Sequence, residues 1–175
     1  IVTGVQTCAL PIWTGVFRSS GGIADNRSGA NGQSIHNLTY GYLETANFIP
    51  VQSGAVYNVS TWVRGKIDPD VDGSNYGISI SYYNSSGIYV GAKGIYSSSL
   101  NNDSWHQYQG GFSPPAGVTQ VKVRLVLLYA DGWVNYDDVS LVKNGTSTNL
   151  VPNPGFESAS GWVEQACGCA PNTGF

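Results

Sequence analysis

The stretch VTQVKVRLVLLYADGWVNYDDVSL, residues Val118 to Leu141, decides the fold class. Val121, Val123, Leu125 and Leu127 alternate with Lys122, Arg124, Val126 and Leu128, which is the period of a strand with one buried face. Asp131-Gly132 then supplies a turn, and a second run follows through Val134 and Tyr136 to Asp137, Asp138, Val139 and Leu141. The two runs read as a strand pair. Consecutive side chains on a strand point to opposite faces, so one of the two carboxylates is expected to face inward. A bare charge there is costly without a metal or a hydrogen-bond donor.

The same period recurs upstream. In YNVSTWVR, Tyr57, Val59, Thr61 and Val63 share one face, and Asn58, Ser60, Trp62 and Arg64 the other. Tyr76, Ile78, Ile80 and Tyr82 alternate with Gly77, Ser79, Ser81 and Tyr83. Tyr42–Ile49, Ile88–Ala92 and Trp105–Phe112 are further candidate strands, separated by Ser53-Gly54, Asn84–Gly87 and Pro114–Gly117. No segment holds a helical period. Recurring strands with turn signals between them predict an all-β protein, an antiparallel β-sandwich of jelly-roll type.

Composition narrows the class. Charged residues make up only 11% and Gly numbers 23, with many Ser, Thr, Asn and Tyr, as in secreted β-sandwiches. A net charge of −3 speaks against nucleic acid, which selects a basic stripe. No apolar run is long enough for a membrane-spanning helix. Catalysis finds little support, because glycoside hydrolysis uses two carboxylates across a cleft and Glu44 is the only Glu between Trp13 and Val142. His36 and His106 have no triad spacing around them.

Three segments need separate readings. Val2–Ile12, VTGVQTCALPI, resembles the conceptual translation of a sequencing adapter, which makes residues 1–12 non-native and the chain a fragment; the alternative is an ordinary first strand. Cys8 lies within it, and Cys167 and Cys169 are too few ligands for a zinc site. Asp68-Pro69-Asp70-Val71-Asp72-Gly73 matches the first half of an EF-hand loop, but Ser79 stands where the bidentate acid belongs, so a solvated acidic turn is the simpler reading.

Three pieces occur in a familiar order: G-x-x-Y-x-V-S-x-W-V-R (Gly54–Arg64), W-x-x-Y-x-x-x-F-x-x-P (Trp105–Pro115) and V-x-V-R-L…Y-D-D-V-S-L (Val121–Leu141). Together they resemble the carbohydrate-binding modules of the family four/nine type. Asn149–Trp162, NLVPNPGFESASGW, is similar to the way such a module opens, yet it follows the closing motif. A tandem array accounts for this order. Residues 13–142 are then one module lacking its first strand, 143–148 a polar linker, and 149–175 the start of a second, truncated module. A sandwich without its first strand exposes an unpaired edge. Asn149–Glu157 is expected to fold back into that place, beside Asp137–Leu141.

The resemblance implies a non-catalytic module that binds polysaccharide of the β-glucan or xylan class. It also implies a covalently linked secreted glycoside hydrolase, hence an extracellular or cell-surface location, and a structural calcium involving Glu157 and Asp138, with Asp137 as the alternative to Asp138. Strand parity supplies a glycan set independently. Trp62, Arg64, Tyr83, Gln107, Gln109 and Arg124 lie opposite the core residues of their strands, and pair an aromatic surface for sugar C–H faces with amide and guanidinium donors for hydroxyls. Trp105 and Trp133 are each open between burial and the rim. The competing reading is a structural or adhesive β-sandwich repeat of a bacterial surface protein without glycan specificity; a fragment of a jelly-roll polysaccharide lyase is a third.

Overall fold

The computed structural model describes residues 18–20, 27, 32–36, 40–67, 75–128, 132–158 and 160–166. The adapter-like segment, the acidic turn 68–73, Cys8, Cys167 and Cys169 lie outside them. Eleven strands are formed, and no helix among the described residues. They are β1 (Arg18–Ser20), β2 (Gly32–His36), β3 (Tyr40–Thr45), β4 (Ile49–Pro50), β5 (Tyr57–Ile67), β6 (Asn75–Tyr83), β7 (Tyr89–Ser97), β8 (Leu100–Phe112), β9 (Gln120–Leu128), β10 (Gly132–Lys143) and β11 (Trp162–Ala166). Two antiparallel sheets result: five strands in the order β1-β2-β10-β5-β8, and six in two parts, β11-β3-β9-β6-β7 with β4 also on β9.

The alternation read from the sequence is the burial pattern of β5, whereas β6 is buried on both faces from Tyr76 to Tyr82. Val59, Val63, Ile78, Ile80, Val121, Val123, Leu125 and Leu127 are all buried in one core between the sheets. The central run differs from expectation in one respect. β9 and β10 are not partners: β9 pairs with β3 and β6, β10 with β2 and β5. The two strands therefore belong to different sheets. Alternation marks both as strands, but which strand each one pairs with depends on distant residues.

Asp137 and Asp138 also depart from simple alternation. The β10–β5 register slips between Asp137 and Ser140, and Asp138 has a positive φ of 48°, so a bulge holds the pair. Asp137 is opposite Trp62, on the face away from the core, and is nevertheless fully buried. Its carboxylate accepts the backbone N–H of Arg27 at 2.7 Å and that of Asp138 at 2.7 Å. On the core side Thr61 Oγ1 donates to the carbonyl of Asp137 at 2.9 Å, which ties the bulge to β5.

β2 pairs with β10 only along Trp133–Tyr136. Residues 149–154 run beside the remainder. Leu150 N–H donates to Leu141 O at 2.8 Å, Val139 N–H to Pro154 O at 2.9 Å, and the Asn149 side chain bonds Leu141 N and Val139 O. Val151 and Phe156 are buried in the core, and β11 adds to the edge of β3.

Candidate functional site

The outer face of the five-stranded sheet is built by register. β5 presents Ser60, Trp62 and Arg64; opposite Trp62 stand Asp137 on β10 and Gln107 on β8, and opposite Ser60 stands Gln109. Tyr108, between the two glutamines, packs on the core 5.3 Å from Tyr76, and this turns both amides outward. Both are exposed, and Gln107 Nε2 makes only a long bond, 3.4 Å, to Ser60 Oγ. The Arg64 guanidinium lies 5.2 Å from the Trp105 ring and 5.9 Å from that of Trp133. The two indoles that the sequence left open therefore flank Arg64 on this face and are half-buried.

Arg27 completes the arrangement. Its guanidinium lies 3.8 Å over the Trp62 ring and bonds the Asp138 carboxylate. Sequence reasoning passed over it, because it sits in a polar, Gly-rich stretch without period. The signal was the carboxylate expected to face inward, which called for a metal or a hydrogen-bond donor, and Arg27 is the one cation between Arg18 and Arg64.

Tyr83 and Arg124 are elsewhere. They belong to β6 and β9, and they project from the outer face of the six-stranded sheet, on the other side of the core. The six residues read as one glycan set are thus divided four and two. Parity tells which residues turn from the core, but both sheets have such a face. Arg124 Nε donates to Glu44 at 2.9 Å, and its guanidinium lies 4.3 Å over Tyr42. Burial alone would lower the Arg124 pKa, but Tyr42 and Glu44 more than offset it and hold the guanidinium charged. Burial raises the pKa of the Tyr83 hydroxyl.

With strands, register and faces assigned, the architecture can be set beside solved structures. In fold, the chain is similar to family 22 carbohydrate-binding modules. The C-terminal family 22 module of Clostridium thermocellum Xyn10B superposes with a TM-score of 0.51 at 15% identity, over 77% of this chain and 85% of that one. A structure described as a xylan-binding domain of the same family gives 0.51 and 15%, over 77% and 86%. The enzymatically active domain of bacteriophage CBA120 tailspike protein 4 gives 0.54 at 12% identity, over 71% of this chain; the chain spans only 17% of that protein. At such identities the likeness is one of fold. No protein-family model matches the sequence, and no curated protein does.

Asp137, Asp138 and Glu157 meet around Gly155. A methyl group placed on Gly155 would lie 3.7 Å from Asp138 Oδ1, 3.7 Å from Glu157 Oε1 and 3.8 Å from Asp137 Oδ1. Among the described residues no three acidic, His or Cys side chains are drawn together tightly enough to hold a metal as they stand. The guanidinium of Arg27 is on Asp138 instead.

Proposed function

We propose that the chain is a non-catalytic polysaccharide-binding module of the four/nine type, accessory to a secreted glycoside hydrolase, with neutral β-glucan or xylan as ligand. One observation carries the reading: Trp62, Trp105 and Trp133 share one sheet face with Arg64, Gln107 and Gln109. The family 22 fold, known in a domain described as xylan-binding, supports it. Sugar rings stack on the indoles, and the amides and guanidinium orient hydroxyls. A ring on Trp62 takes the place of the Arg27 guanidinium, which keeps its partner Asp138. Asp137 and Asp138 are consecutive and contact the same arginine, an arrangement unlike two carboxylates across a scissile bond. Residues 149–166 serve as the opening segment of the module, and its relation to a second copy is part of the same proposal.

Calorimetric titration with xylan, β-glucan, mannan and cello-oligosaccharides tests this. Trp62→Ala is expected to weaken binding by about tenfold, since a sugar covers only part of an indole whose full burial is worth ~1.5–3 kcal/mol. Gln107→Ala should cost less, ~0.5–1.5 kcal/mol. Unchanged affinity in Trp62→Ala removes that residue from the site. A folded wild type that binds none of these glycans favours the structural or adhesive repeat.

A structural calcium belongs to the same proposal: it would draw the three carboxylates near Gly155 closer together than they stand and take Asp138 from Arg27, since calcium accepts several oxygen ligands in a flexible shell. Asp137, Asp138 and Glu157 would hold it, joining residues 155–157 to the β10 bulge. Millimolar calcium is then expected to raise the melting midpoint by a few degrees, and Glu157→Gln to abolish the rise. Equal midpoints with calcium and with chelator would dismiss the site.

A further inference from the structure

The outer face of the six-stranded sheet carries a second arrangement, across the core from Trp62. Three rings cross it in one row. Phe48 precedes β4, Tyr83 ends β6 and Tyr89 opens β7, with centroids 4.8 Å and 5.8 Å apart. Phe48 and Tyr89 remain 40% and 50% exposed. Contiguous exposed apolar surface is a feature of ligand-binding faces, whereas singly exposed rings are ordinary.

Beside the rings lies an unequal set of charges. Lys122 Nζ and Arg124 Nε each reach a different oxygen of Glu44 at 2.9 Å. One carboxylate thus serves two cations, and the trio keeps one net positive charge. Lys122 also sits 5.4 Å over Phe48, which places the charge at the row of rings. All three side chains are mostly buried, which holds their charges in place at the edge of the rings. The floor toward β7 is small: Ser79 and Ser81 on β6, and Ala92 opposite Ser81. Ser81 Oγ is buried without a hydrogen-bond partner. Tyr96 folds over Gly94, where any Cβ would strike its ring at 2.2 Å, and bounds the floor at its far end.

We propose that this face is a second glycan site, selective for acidic polysaccharide, with a uronate carboxylate at Lys122 and Arg124 and a neighbouring sugar ring against Tyr89 and Phe48. Charge complementarity chooses the occupant. A neutral sugar would use the rings and leave the excess positive charge unmatched. An apolar partner would desolvate that charge without compensation. A uronate chain supplies both the C–H face and the carboxylate. The two outer faces then hold two chemically distinct chains on opposite sides of one sandwich. The inference does not depend on the neutral site around Trp62.

The test is calorimetric titration of the full chain with an oligogalacturonate and, separately, with a cello-oligosaccharide, at low and at moderate salt. Wild type should bind the oligogalacturonate several-fold more weakly at the higher salt, while the neutral ligand responds little. Tyr89→Ala and Lys122→Gln should each weaken the acidic ligand by about tenfold and leave the neutral one unchanged. Tyr89 is half exposed, so its loss does not threaten the fold; for Lys122→Gln, an unchanged urea midpoint verifies folding. No binding of oligogalacturonate by folded wild type overturns the proposal, as does its loss in Trp62→Ala. Acidic binding that persists when no neutral glycan binds supports this site and defeats only the neutral one.

Discussion

Phe156→Ala is expected to destabilise the protein by about 3–5 kcal/mol, the usual cost of replacing a buried phenylalanine. Phe156 lies in the common core, 4% exposed, with its ring 5.0 Å from that of Trp162. Its backbone is in the left-handed region at φ 57°, unfavourable for a bulky side chain. Alanine keeps that penalty and loses the burial, so nothing offsets the cavity. Trp162 is held in turn by its indole N–H, which donates to Asn153 O at 3.0 Å, and by the start of β11. Losing the ring therefore loosens both the 149–157 segment and the added edge strand. Urea unfolding followed by tryptophan fluorescence measures the effect as a lower midpoint. A loss below about 1 kcal/mol would mean that residues 149–166 are an appendage instead of part of the module.

What could be read from the sequence was local. Alternation in β5, β6 and β9 gave both the strands and their buried sides, because the side-chain period of a strand is fixed by its geometry. Sheet membership is not local. The short Asp131-Gly132 connection looks like a hairpin, yet β9 joins Tyr42, Leu43 and Glu44 on one side and β6 on the other, while β10 joins β5. The same limit divided the glycan residues. Trp62, Arg64, Gln107 and Gln109 converge because β5 and β8 are partners; Tyr83 and Arg124 satisfy the same parity rule in the other sheet. Arg27 was hidden for a different reason. A loop residue carries no period, and only the two carboxylates it meets point to it, Asp137 through its backbone N–H and Asp138 through its guanidinium. The row of Phe48, Tyr83 and Tyr89 was likewise out of reach: Tyr83 and Tyr89 flank one turn, but Phe48 reaches them only through the pairing of β4 and β6 with β9.

Tyr136→Phe should cost about 1–3 kcal/mol although it removes one oxygen atom. Tyr136 starts on β10 and reaches across the core to the other sheet. Its hydroxyl donates to Val126 O on β9 at 2.6 Å and accepts the N–H of Gly77 on β6 at 3.1 Å. The side chain is fully buried. Phenylalanine fills the same ring volume, so no cavity opens, and the loss is that of two backbone groups left without this partner in a dry interior. A fall in melting temperature of several degrees is expected, given about 2–4 °C per kcal/mol for a chain of this size. Alkaline titration separates this bond from packing. Burial pushes the hydroxyl pKa far above the ordinary tyrosine value of 10.0. Above pH ~10 the unfolded chain releases this proton and the folded chain keeps it, so wild-type stability falls as pH rises, by up to about 1.4 kcal/mol per pH unit from this group. The phenylalanine variant lacks that share, and its stability should decline more gently over the same range. Urea midpoints for both proteins between pH 8 and about 11, above and below the ordinary tyrosine pKa, measure the difference. Parallel declines, or equal stability at neutral pH, would show that the hydroxyl does not bridge the two sheets.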